Sequence, residues 1–304
     1  MLQSLSTATN AIKNYQTSLD TIAGNLANLN TAGYKGARVD FAETMNQVLR
    51  SGTSDQSGVS GSAPMSVGTG MTTSSARVNF SQGSLAQTGS KTDFAISGKG
   101  YFLVRNNVTN EVFASRAGSF HLDANNYLCT DNGYRVQGIS DSQKVPTAIG
   151  DIQLNKGTVP NGSPASAADS SVSSINVDSS GRVNVLLDDG TQYVRGQMML
   201  QSFNNEQSLT NVGNNLCSNL IQAGPNLSAT STFTSNPSSL LLNGALIPGD
   251  NGTGSISQGS IENSNVDLSN EFSQMITTQR AFQANSKVIS TSDEILQELI
   301  QLKR

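Results

Sequence analysis

Met1–Gly33 reads MLQSLSTATNAIKNYQTSLDTIAGNLANLNTAG, and the spacing of its apolar residues decides the fold. Met1, Leu5, Ala8, Ile12, Tyr15, Leu19, Ile22, Leu26 and Leu29 recur at alternating steps of four and three, which lays one narrow stripe along a helix. Polar residues, Gln3, Ser4, Asn10, Lys13, Asn14 and Asp20, lie between. Asn30-Thr31-Ala32-Gly33 closes the segment, and Gly33 can supply the positive φ that stops a helix. A stripe this thin on a helix this long needs a partner.

The other chain end offers one. Leu268, Met275, Phe282, Ile289 and Leu296 form an unbroken seven-residue line, with Phe272, Gln279, Ser286, Asp293 and Ile300 as its companion line, apolar only at the two ends. Pairing the two ends is the economical arrangement, and it makes Leu5, Ile12, Leu19, Ile22, Leu26 and Leu29 on one helix, with Leu268, Met275, Phe282, Ile289 and Leu296 on the other, the candidate assembly seam. Two packings remain open. The helices can lie as an amphipathic pair on one globular core, or neighbouring subunits can complete the seam, which suits mid-helix polar residues such as Gln279 and Ser286.

Between the ends the pattern changes. Ser51–Gly70, SGTSDQSGVSGSAPMSVGTG, has almost nothing to bury and reads as an extended connector. Short β-branched or alternating runs follow, at 101–105, 112–115, 127–130, 175–178, 183–187 and 193–203, punctuated by Asp131-Asn132-Gly133, Ser179-Ser180-Gly181 and Asp188-Asp189-Gly190. The stretches 157–174 and 224–260 are Ser/Gly/Asn-rich, the second broken by Leu240-Leu241-Leu242, and read as surface excursions. The fold class is therefore mixed α and β. Residues 1–33 and 265–304 pair as a coiled-coil-like inner domain, 34–77 connect, and 78–264 form a central, mainly-β domain.

Composition narrows the function. Of 304 residues, 36% are hydrophobic and 13% charged, against about 45–50% and about 25% in ordinary soluble domains. Such a chain needs burial beyond a single monomer core, or thin strand-rich domains. A net charge of −4 provides no basic footprint for a phosphate backbone, which argues against nucleic-acid binding. One histidine, His121, and two cysteines, Cys129 and Cys217, give no metal-ligand spacing and no catalytic triad. Gly98-Lys99-Gly100 lacks the phosphate-loop pattern and reads as a turn. Asp188-Asp189 and Asp293-Glu294 are consecutive residues that point apart, so neither pair can clasp a reacting group. No catalytic, cofactor or metal residue, and no small-molecule substrate, is expected. Cys129 and Cys217 fit either a bridge in an oxidising compartment or two free buried thiols. No apolar run is long enough for a membrane span, and Met1–Leu29 lacks a secretory signal's apolar centre, so export is expected by another route.

Three segments carry a resemblance. Leu19–Lys35, LDTIAGNLANLNTAGYK, with Val39-Asp40-Phe41 beyond it, resembles the amino-terminal signature of the bacterial flagellar rod and hook protein family. Gly83–Gly89, Asp93–Phe102, Ser115–Phe120 and Gly133–Gly138 look like the family's core module, and Asn265–Lys287 is similar to its third signature. The matching signature residues are Asn25, Ala27, Asn28, Thr31, Gly33, Tyr34, Lys35, Gln279, Arg280 and Asn285. The resemblance implies a subunit exported unfolded by the flagellum's own apparatus, without a cleaved signal peptide. It also implies a helical homopolymer that meets neighbouring rod, hook or hook-associated proteins and an assembly cap. Within the family the ending Ser290–Arg304 looks most like a short hook subunit, with the distal rod subunit as runner-up. Of other classes, an enzyme would need a credible acid/base pair. A secreted β-rich adhesion module would not need heptads at both ends.

Overall fold

The computed structural model describes residues 2–52, 63–139, 149–154, 172–226, 245–250 and 252–302. It is a mixed α and β chain with a helix at each end, Leu2–Ala27 (α1) and Leu268–Leu302 (α2), packed on one another, and a central domain that is mostly strand. Two compact units result. One comprises Met1–Leu29, Gly36–Asn79 and Val266–Arg304, and the other Asn30–Lys35 and Phe80–Asn265.

In the helical unit, α1 packs on α2 and also on an antiparallel pair of strands, Ala37–Glu43 with Met71–Val78, whose register slips by a bulge between Asp40 and Phe41. Within 34–77, expected as a connector, 37–43 and 71–77 are thus strand, because their alternating residues have a helix face to cover. Phe41 meets Tyr15 edge-on with ring centroids 5.8 Å apart. A second strand pair, Asn46–Arg50 with Met65–Gly68, is exposed along its length. The connector residues 53–62 lie outside the described residues.

In the β unit one path of antiparallel strands runs 172–177, 182–187, 192–198, 135–139, 101–105, 112–115, 216–218 and 210–213. Tyr101–Arg105 lies inside it, and its first four residues, Tyr101–Val104, are an unbroken apolar run because both faces are covered. Phe102 and Val104 enter a core with Phe94, Ile96, Phe120, Val136, Val185, Met198 and Leu200. Tyr101 and Leu103 point the other way, toward Ala114, Phe203, Leu209 and Leu220, as the two-residue period of a strand requires. Phe102 and Phe120 are centred 5.2 Å apart at a near-right angle.

The excursion expected over 224–260 is only partly described, and its described end is structural. Leu246 exchanges two backbone hydrogen bonds with Leu200, and Ser255–Gln258 pairs with Phe94–Ser97. Scattered apolar residues explain the difference: Ala245, Leu246 and Ile256 are all buried, although none belongs to a periodic run. Residues 155–171 and 227–244, with Leu240-Leu241-Leu242, lie outside the described residues.

Candidate assembly surface

The two helices run in opposite directions, since Asn25 near the end of α1 donates to the Glu271 carboxylate in the first turn of α2, at 3.2 Å. Asn25 is 2% exposed and also clamps Ala37, donating to its carbonyl at 2.7 Å and accepting from its N–H at 2.9 Å. One side chain thereby fixes helix, strand and opposing helix. Farther along α1, Asn14 donates to the Met71 carbonyl and accepts from the Thr73 hydroxyl. Thr7 donates to the Thr69 carbonyl.

Among the described residues of α1, Ala8, Ala11, Ile22 and Asn25 are buried, while Leu5, Ile12, Leu19 and Leu26, with Leu29 just beyond the helix, are half-buried. Met1 lies outside the described residues. The helix serves two neighbours, so its buried line runs between the expected seam and the strand pair. On α2, Met275, Phe282, Ile289 and Leu296 are half-buried, whereas Leu268, the first residue of the helix, is exposed.

Within the single subunit the companion line faces outward. Phe272, Gln279, Ser286, Asp293 and Ile300 are exposed, and the inward residues are Glu271, Thr278, Asn285 and Ser292. Counting apolar residues could not find this line, which is entirely polar. Three of its members are satisfied within their own helix: Thr278 donates to the Gln274 carbonyl, Asn285 to that of Ala281 and Ser292 to that of Val288.

Register then exposes an unpaired end. Counting outward from the Asn25–Glu271 bond in opposite directions, Leu2 comes level with Glu294, so α2 continues beyond α1 for its last two turns. Those turns carry Ile295, Leu299, Ile300 and Leu302, all exposed, the last two at 66% and 83%. An apolar cluster at the tip of an overhanging helix is the surface on which another polypeptide can pack.

The remaining signature residues divide between the two units. Ala27 closes α1 and is exposed, as are Gln279 and Arg280 on α2. Asn28 donates to the Gly24 carbonyl at 2.9 Å. Thr31, Gly33, Tyr34 and Lys35 belong to the β unit. Gly33 sits at φ +71°, donates its N–H to the Glu262 carbonyl at 2.7 Å, and lies so close to Arg116 and Ala117 that a Cβ would meet Ala117 N at 2.6 Å. Both the handedness of the turn and the lack of space call for glycine.

Beside it lies a buried ionic cluster whose central carboxylate, Glu262, no sequence pattern marked. The Glu262 side chain is fully buried and accepts from Lys35 Nζ at 2.6 Å, Arg116 Nη1 at 2.9 Å and the Gly83 N–H at 2.9 Å. Lys35 also donates to the Ser81 carbonyl and Arg116 to that of Gly98. Burial alone would raise the Glu262 carboxyl. The Arg116 guanidinium, the Lys35 ammonium and the Gly83 N–H outweigh it and hold the group below the usual carboxylate range. Burial pushes the Lys35 ammonium down from its ordinary value, against the pull of Glu262. A second carboxylate, Asp151, accepts from Gln137, Arg105 and Arg135, and these bonds overcome its burial and keep it low.

His121 and Asp131 are exposed and 3.7 Å apart. Gly98 and Gly100 take positive φ in a turn, with Lys99 exposed between them. Asp189 caps its own turn by accepting from Thr191. Cys129 and Cys217 are free thiols, and burial pushes Cys217 up to about 11. Among the described residues no His, Cys, Asp and Glu cluster could hold a metal ion, and no helix is long and apolar enough to cross a membrane.

Comparison with known proteins places these elements in order. Residues 5–35 match the flagella basal body rod protein model, 95–185 the flagellar hook protein FlgE/F/G D1 domain, and 257–302 the flagellar basal body rod FlgEFG protein C-terminal model. The flagellar basal-body rod protein FlgG of Bacillus subtilis (strain 168) is 34% identical over 304 residues, covering 100% of both chains. The protein of the same name from Borreliella burgdorferi is 30% identical over 307 residues, again across 100% of both. The flagellar hook protein FlgE of Borreliella burgdorferi is 25% identical over 443 aligned residues.

Proposed function

Because this chain belongs to the flagellar basal-body rod and hook protein family, a family of structural flagellar proteins, we propose that it is the distal rod subunit of the flagellar basal body. The short-hook reading of the sequence gives way here. Relatives named as rod proteins align end to end over 304 to 307 residues, whereas the hook relative needs 443 aligned positions. The end-to-end match to rod proteins of similar length supports the rod subunit.

The subunit works by polymerising into a helical tube, through contacts between copies that do not close into a ring. The overhanging end of α2 is the observation that carries this reading. Among the described residues none of α1 comes level with Ile295, Leu299, Ile300 and Leu302, and a neighbouring copy supplies apolar surface to them. The seam residues, from Leu5 to Leu29 and from Met275 to Leu296, hold the helical pair that presents this end. Its neighbours in the flagellum are other rod and hook proteins. Delivery runs through the flagellar export apparatus, without a cleaved signal peptide, and ends at an assembly cap. No catalytic role is assigned.

Electron microscopy of basal bodies from cells lacking the gene tests the assignment. A truncated rod with no hook is expected, and a complete rod lacking only the hook would return the chain to the hook class. Sedimentation of the purified chain, with and without residues 295–304, tests the polymer itself.

A further inference from the structure

The chain passes between its two units four times, after Leu29, Lys35, Asn79 and Asn265. The β-unit stretches beside these passages are 30–35, those just after Phe80, and those just before Asn265. All are bonded to one another. Gly33 N–H donates to the Glu262 carbonyl, Lys35 Nζ to the Ser81 carbonyl, Gly83 N–H to the Glu262 carboxylate, Asn263 N–H to the Ser84 carbonyl, and Asn265 Nδ2 to the Ser81 carbonyl. The Lys35, Arg116 and Glu262 side chains are 8%, 5% and 0% exposed.

We propose that Lys35, Arg116 and Glu262 make residues 33–35, 81–84 and 262–265 a single cooperative latch, held on the β unit together and released together. Glu262, on the third stretch, is the shared acceptor for the other two and for Arg116. If 30–35 leaves, Glu262 loses Lys35 and the Gly33 N–H and is left buried with one cation; if 262–265 leaves, Lys35 and Arg116 are left buried without an anion. Breaking one member of a buried ion group costs far more than an exposed pair, because the remaining charges stay out of water. No partial release is therefore inexpensive, and the three stretches share one opening event. Arg116 ties that event to the core, since it also donates to Gly98 and lies with its guanidinium carbon 5.3 Å from the centre of the Tyr101 ring. The latch is a property of the single subunit and does not depend on polymerisation.

Hydrogen exchange of the dilute full-length chain in increasing sub-denaturing urea tests it, with the amides of Gly33, Gly83 and Asn263 as reporters. Their exchange isotherms should merge into one, separate from that of the 182–198 strands. Glu262→Gln should speed all three amides together, on the order of 100- to 1,000-fold, while leaving the 182–198 amides unchanged. Lys35→Met should shift the same three by a smaller common factor. Three distinct isotherms in the parent chain, or a Glu262→Gln effect confined to Gly83, would overturn the proposal. If Glu262→Gln fails to fold, the parent isotherms decide alone.

Discussion

At the residue scale, Asn25 and Glu262 do the most joining, and they differ in how legible they are. Asn25→Ala removes the bonds to Ala37 and Glu271 from a buried position. A loss of about 1–3 kcal/mol per orphaned group follows, seen by circular dichroism as early urea melting of the helical unit. Glu262 gives a pH prediction. Its carboxyl and that of Asp151 lie below the ordinary range when folded. Their contribution is therefore full above the unfolded carboxylate value and lost as pH falls through the lower folded values. The urea midpoint of the β unit should hold steady from neutral pH to the ordinary carboxylate range and then drop, with a shallower drop in Glu262→Gln. An equal slope in parent and variant would count against this account. Asn25 belonged to a recognisable signature, whereas Glu262 stood in Ile261-Glu262-Asn263-Ser264 with nothing to distinguish it. Its partners lie 227 and 146 residues away in sequence, and no local pattern encodes such a meeting.

At the element scale, periodicity and turn signals disclosed the two terminal helices and the strands 101–105, 112–115, 128–130, 172–177, 182–187 and 192–198, but not 37–43, 71–78, 94–97 or 135–139. Periodicity placed Met275, Phe282, Ile289 and Leu296 on one line but could not find the inward line beside it, since Thr278, Asn285 and Ser292 are polar and self-bonded. The exposed overhang and the buried stripe should respond differently to charge. Leu299→Asp and Leu302→Asp should leave the monomer's melting within about 0.5 kcal/mol of the parent, as surface changes do, and abolish sedimentation of the polymer. Ile22→Asp, at a position 5% exposed, should unfold the helical unit and leave the β unit folded. Normal polymers from both overhang variants would remove the overhang from the assembly contact.

At the scale of the whole molecule, the two units draw on different stretches of chain than sequence suggests. Residues 30–35 lie beyond the first helix yet fold with the β unit, and 37–78 fold with the helices. The short segment 30–35 has no periodicity, and the alternation of 37–43 and 71–78 does not say what covers them, so the allegiance of both is fixed by partners elsewhere in the chain. Limited proteolysis of the dilute monomer should cut first within 295–302 and spare those turns once the polymer forms. The inward polar line of α2 has a thermal consequence. Thr278, Asn285 and Ser292 donate within their own helix, so these three bonds do not tie α2 to α1, and apolar packing by Met275, Phe282, Ile289 and Leu296 carries a larger share of the pairing. Apolar association weakens on cooling, whereas hydrogen-bonded association does not share that dependence. The helical pair should thus loosen in the cold before the β unit does, with helical circular dichroism declining reversibly toward 0 °C.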